Sequence, residues 1–216
     1  MISSCGFGHS RVVYLRMLPG PRLLLNLFLL LSFSAAGHAG FSTVVLDAGH
    51  GGHDLGGIPG QRVCEKEMAL DVAKRIGIIL REDGLRTVMT RSDDTFIPLP
   101  MRCAIANSRS SAVFVSIHFN ASPRVGATGF ETYYYQSKAA SLASQIQGKM
   151  SRLGFGDNRG VKRQGFYVLR KTTIPAVLCE PGFLTNPQYG GVIRQTIQRQ
   201  RLAVAIAAAV VSASRD

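Results

Sequence analysis

The chain has 216 residues and a formal charge of +12, with 25 basic against 13 acidic side chains and no tryptophan. That length fits one ordinary domain, and no internal repeat, low-complexity run or linker interrupts residues 41–216. The basic surface calls for an anionic partner, but no nucleic-acid-binding motif has the required spacing.

The first element is an export segment. Arg11, Arg16 and Arg22 precede the apolar run "LLLNLFLLLSFSAAGHA", which closes in small residues. A basic flank, an apolar core and a small-residue end predict a secretory signal spanning 1–39 and cleaved after Ala39. Met17 as the start would leave this signal intact. A retained anchor is the competing reading, but the apolar stretch falls short of the ~20 residues of a full span. The expectation is therefore a mature domain of residues 40–216, periplasmic or secreted, with no stable membrane anchor. Export removes three basic residues and no acidic one, leaving 22 against 13. A domain of this size buries about 70% of its unfolded surface and needs no disulfide staples. Cys64, Cys103 and Cys179 remain, an odd number that leaves at least one thiol free.

The domain begins with "STVVLDA", a buried strand that runs into the loop "GHGGHDLGG". "KEMALDVAKRIGIILRED" carries Met68, Val72, Ile76, Ile79 and Leu80 at helical spacing, and Gly84 suits its C-terminal cap. "RTVMTR" follows as a short strand and "PLPMRCAIANSR" as a helix with proline near its start. "SAVFVSIHFN" is a continuous apolar strand of the kind buried on both faces. "TGFETYYYQ" is another strand, and "KAASLASQIQGKMSRLG" a helix. "GFYVLR" and "PAVLCE" are two further strand candidates, and a helix from about Gly191 to Ser212 closes the chain. Strands alternating with helices predict an α/β three-layer sandwich, with helices on both faces of a largely parallel sheet.

The loop after the first strand has two chemical readings. A P-loop requires a lysine after its glycines, and none occurs before Lys66. A dinucleotide fingerprint requires a third glycine where Asp54 stands. The metal reading gains from the rest of the chain. His50 lies just past one buried strand and His118 ends another, so parallel neighbours would bring both imidazoles to the crevice beyond the strand ends. Hydrolytic zinc sites commonly take two histidines and a glutamate, with the fourth position open. Glu65 or Glu67 opens the first helix close to the loop, and Glu180 ends the strand "PAVLCE" at the same sheet edge. His53 competes with His50 on spacing alone, and Glu131, in mid-strand, reads as a residue bonded within the fold.

Taken in order, "VVLDAGHGGHDLGG", "EKEMALDVA", "TRSDDTFIPLPMRCAIAN", "VFVSIHFNAS", "GFETYYY" and "RGVKRQGFYVLRKTTIPAVLCEPGFLTN" resemble the zinc-dependent N-acetylmuramoyl-L-alanine amidases of the bacterial cell wall. The resemblance runs over nearly all of 43–213. It implies a mixed sheet of about six strands flanked by helices, and a Zn2+ site of His50, Glu65 and His118 with Glu180 as the catalytic carboxylate. It prefers Glu65 over Glu67 as the acidic position of "EK", and His50 over His53 as the histidine of "GHGG". The substrate it implies is peptidoglycan, cut between the lactyl group of N-acetylmuramic acid and the L-alanine of the stem peptide. Asp47 is a candidate to orient a ligand imidazole, or else to cap the loop backbone. Arg163 and Arg170 read first as solvated charge and second as contacts for stem-peptide carboxylates. Some relatives carry a blocking insertion after the "ETYY" strand that an activator relieves. Here Tyr135 is followed almost at once by the next helix, so no obligatory activator is expected. A wall peptidase using the same metal chemistry, or a non-catalytic wall-binding module, are the alternatives.

Overall fold

A computed structural model describes residues 40–57 and 63–216; the expected export segment lies outside them. Strand β1 (Thr43–Ala48) leads through the glycine loop to helix α1 (Glu65–Glu82), then β2 (Arg86–Met89) and α2 (Leu99–Asn107). β3 (Ala112–Ile117) and β4 (Phe130–Tyr134) precede α3 (Ala140–Ser151), β5 (Asn158–Arg163) and α4 (Tyr167–Lys171). β6 (Ala176–Glu180), α5 (Pro187–Ile193) and α6 (Thr196–Arg215) complete the domain. Among the described residues no helix is long and apolar enough to cross a membrane.

The strands form a sheet of order β2-β1-β3-β6-β4-β5. All neighbours are parallel except β4 and β6, which run antiparallel. β1 and β3 are buried at every position, so alternate residues serve opposite cores. Val44, Leu46, Val113, Val115, Val177 and Cys179 meet α1, α3 and α6 on one face. Val45, Phe114, Ala176 and Leu178 meet α2 and α4 on the other. The predicted three-layer α/β sandwich with a mixed, largely parallel sheet is the observed one.

Local chemistry explains the element ends. α1 stops in a Schellman arrangement: Leu85 N–H donates to the Leu80 carbonyl, Gly84 N–H to that of Arg81, and Gly84 takes φ +85°. The terminal helix divides in two, because Asn186 caps α5 through its side chain and α6 starts afresh at Thr196.

One sequence expectation fails here, and a neighbouring strand goes undetected. "GFYVLR" is not a strand: Tyr167–Lys171 form α4, which buries Val168 and Leu169 against α2 and β6. The strand at this edge, β5, is instead Asn158–Arg163, whose charged, largely exposed residues give no apolar run to detect. Its place at the sheet edge is the reason, since edge strands are commonly protected by charge.

Candidate metal centre and active site

Register alone gathers the site. Ala48 pairs with Ile117, and Ile117 with Cys179, so the residues just beyond them meet at the carboxyl edge of the sheet. His118 follows β3, its N–H donating to the Cys179 carbonyl at 3.0 Å, and Glu180 ends β6. His50 leaves β1 through a left-handed backbone, φ +59°, a conformation that a side-chain-bearing residue adopts only when its surroundings enforce it. Glu65 comes from the first turn of α1.

Three donor atoms converge. His50 Nε2 lies 3.0 Å from Glu65 Oε1, His118 Nδ1 lies 3.1 Å from the same oxygen, and the two nitrogens are 3.1 Å apart. Bonds of 2.0–2.1 Å at tetrahedral angles set donors about 3.3 Å apart, so this triangle fits a small ion such as zinc with slight opening. The two rings meet edge to face at 4.7 Å. Phe119 N–H donates to Glu65 Oε1 at 2.9 Å and fixes that carboxylate. The packing leaves no room for change: a Cβ on Gly49 would stand 2.4 Å from the His118 ring, and one on Gly56 would stand 2.5 Å from Glu65 Oε2.

The two glutamates sit in opposite electrostatic settings. Burial would raise the Glu65 carboxyl, but hydrogen bonds and charge from His118 and His50 bring it down to about 2. Burial pushes the Glu180 carboxyl well up, and the negative charges of Glu65 and Glu131 add to that. Glu180 Oε2 is shut from solvent with no hydrogen-bond partner. Such an orphaned acceptor costs free energy and is suited to holding a proton.

The other sequence candidates separate cleanly. His53 is exposed and stacks on Phe96 at 4.3 Å, and Glu67 points to solvent; neither joins the triangle. Glu131 is bonded within the fold, to Asn120, Tyr133, Arg159 and Lys162. Cys64, Cys103 and Cys179 are free thiols. Arg163 donates through Nε to the Tyr135 carbonyl and lies over that ring. Asp47 meets neither an imidazole nor the loop amides, because its carboxylate points back into the sheet. It accepts from Thr90, Ser116 and Arg102 at 2.7, 2.7 and 2.8 Å.

Three supporting residues escaped the sequence reading. Asp54 Oδ2 stands 2.9 Å from His50 Nδ1, an ion-pair approach rather than a well-directed hydrogen bond. It helps Glu65 raise the imidazole pKa against the lowering effect of burial. Arg91 and Arg102, both buried, donate to the carbonyls of Ala48, Gly49 and His50 at 2.6–3.0 Å. Their motif "TRSDDTFIPLPMR" was visible, but no spacing rule ties a distant arginine to a loop carbonyl.

A mixed α/β sheet that gathers two histidines and a glutamate near its carboxyl edge is a fold with a candidate metal site, and comparison with known proteins narrows the class. Residues 44–212 match the family model described as N-acetylmuramoyl-L-alanine amidase, and the chain belongs to that family. It is 41% identical over 169 residues to the N-acetylmuramoyl-L-alanine amidase LytC of Bacillus subtilis, covering 76% of this chain and 34% of LytC. The probable cell wall amidase LytH of Staphylococcus aureus is 34% identical, with 76% and 55% covered. The chain thus spans about a third to about half of the length of these two relatives. Among solved structures, the catalytic domain of CwlV from Bacillus (Paenibacillus) polymyxa superposes with a TM-score of 0.76 at 35% identity, covering 80% of this chain and 97% of that one. The N-acetylmuramoyl-L-alanine amidase of Clostridium difficile 630 gives 0.75 at 35%, covering 81% and 97%.

Proposed function

We propose that this chain is a zinc-dependent peptidoglycan amidase that hydrolyses the bond between the lactyl group of N-acetylmuramic acid and the L-alanine of the stem peptide. The observation that carries it is the His50–Glu65–His118 donor triangle with the unpartnered Glu180 carboxylate at the same sheet edge. Family membership supports the bond and the substrate. The chemistry a bound zinc supplies there is polarisation of the scissile carbonyl and a water pKa lowered to about 7.

The residues of the chain do the rest. His50, Glu65 and His118 would hold the ion, with the two imidazoles bringing the Glu65 carboxyl down to about 2. Glu180 Oε2 takes the proton of the attacking water and returns it to the departing alanine nitrogen. Its raised affinity for a proton suits both halves of that exchange. Arg91 and Arg102 keep His50 in its left-handed backbone by binding the carbonyls around it.

We also infer export, with action on the wall outside the cytoplasm, and turnover without an activator. Only the short turn around Ser137–Ala139 separates β4 from α3, which leaves no blocking helix there. Some relatives do act in company: CwlD of Clostridioides difficile, 27% identical with a TM-score of 0.73, has been solved in complex with the GerS lipoprotein.

Digestion of purified wall with and without a chelator, followed by mass analysis, tests the reading. Intact stem peptides with an N-terminal L-alanine, lost on chelation, are expected; shortened stems still attached to sugar would overturn it. Glu180→Gln should retain one zinc per chain by metal analysis while losing about 10²–10⁴ in kcat.

A further inference from the structure

On the far side of Glu180 lies a cationic rim that the hydrolysis does not use. Glu131 pairs with Glu180 directly across the antiparallel β4–β6 ladder, so both side chains emerge on one face. The buried Glu131 carboxylate accepts from Arg159 Nε, from Lys162 Nζ at 2.7 Å, from Asn120 Nδ2 at 3.1 Å and from the Tyr133 hydroxyl. Asn120 stands two residues after His118 and is tied to the chain beyond Glu180, its N–H donating to the Gly182 carbonyl at 2.8 Å. The network is therefore continuous with the metal centre.

Two cations share the Glu131 carboxylate here, with Asp157 adding a weaker charge contact to Arg159. The Arg159 and Lys162 side chains are 42% and 43% exposed. Arg159 uses only Nε on Glu131, and its terminal amino groups have no partner among the described residues. Its guanidinium is held over the Phe183 ring at 5.2 Å, so an oriented pair of donors faces solvent beside Glu180. That donor edge matches a planar carboxylate. Of the two arms of the substrate, only the peptide carries free carboxylates, since that of the lactyl group is consumed in the scissile amide.

We propose that Arg159 and Lys162 form a carboxylate subsite beside Glu180 that seats a free carboxylate of the stem peptide. The assignment rests on the amidase reading for its substrate, and two readouts keep the failures apart. Soluble muramoyl peptides differing only in a free or amidated carboxylate on the residue after alanine are compared by kcat/KM. The wild type should favour the free acid by roughly 10- to 100-fold, the worth of a charged hydrogen bond. Arg159→Gln should collapse that ratio to about threefold or less, Arg159→Lys should restore part of it, and Arg163→Gln on the same strand should keep it whole. Lys162→Gln carries the test if Arg159→Gln does not fold.

A wild-type ratio near one overturns the subsite and leaves the amidase standing, as does a ratio that survives in both Gln variants. Calorimetric titration of the alanyl peptides, free and amidated, reads binding without turnover. Selective binding of the free acid by an enzyme that cuts neither substrate keeps the subsite and removes the amidase reading.

Discussion

Asp47 and Glu131 are both buried carboxylates paired with an arginine, and they serve opposite ends of the same site. Asp47 and Arg102 have side chains 1% and 3% exposed. Every nitrogen of Arg102 is engaged: Nε on the Ile97 carbonyl, Nη1 on Asp47 and Ala48, Nη2 on His50. Glu131 is equally buried at 4%, but Arg159 stands 42% exposed and bonds through one nitrogen. The difference teaches that burial of the cation, not of the acid, decides the role. A fully enclosed guanidinium locks the backbone that carries His50. A half-open one keeps donors for something outside the protein.

The comparison breaks most visibly if the enclosed pair is cut. Arg102→Met should cost about 3–5 kcal/mol in denaturant unfolding, because it strands the Asp47 charge in the sheet, while Arg159→Gln should cost under about 1 kcal/mol. Equal losses would erase the distinction.

Acid tests the open pair next. Burial raises the Glu131 carboxyl, but Arg159 and Lys162 bring it from 4.5 to about 2. Between those values the unfolded chain binds more protons than the folded one, so stability rises with pH through that window. The contribution is complete above about pH 4.5 and fades as pH falls toward 2. The wild type should therefore lose its thermal-midpoint advantage over Glu131→Gln on acidification, whereas parallel curves would show the network contributes nothing.

The smallest effect sharpens the comparison by salt. A double-mutant cycle on Glu131 and Lys162 should give a coupling below about 1 kcal/mol that shrinks as ionic strength rises from about 0.05 to 0.5 M. The Asp47–Arg102 coupling should stay constant over that range, since no ion reaches it.

Much of this molecule was legible in one dimension. Apolar runs named β1, β3 and β6, and helical spacing named α1, because burial of both sheet faces writes itself into local composition. Those strand ends carry His118 and Glu180 and lead into the loop that holds His50 and His53, so parallel pairing pointed to the crevice where the candidate residues meet. The motif resemblance then chose Glu65 over Glu67 and His50 over His53, and these are the residues that the fold draws together. Spacing could not choose, because which side of a helix turn or loop faces inward is set by what it packs against.

What only the tertiary structure decided has a common cause. The edge strand Asn158–Arg163 has no apolar face to betray it, and α4 is helical against its own β-rich sequence because Val168 and Leu169 must cover the second core. Asp47 turned away from the imidazoles toward Arg102, 55 residues along the chain. The opposed pKa shifts of Glu65 and Glu180, and the open donors of Arg159, depend on burial and on charges brought from distant strands. Local patterns record where a chain must hide apolar surface; the partners of its charges are settled only when the sheet closes.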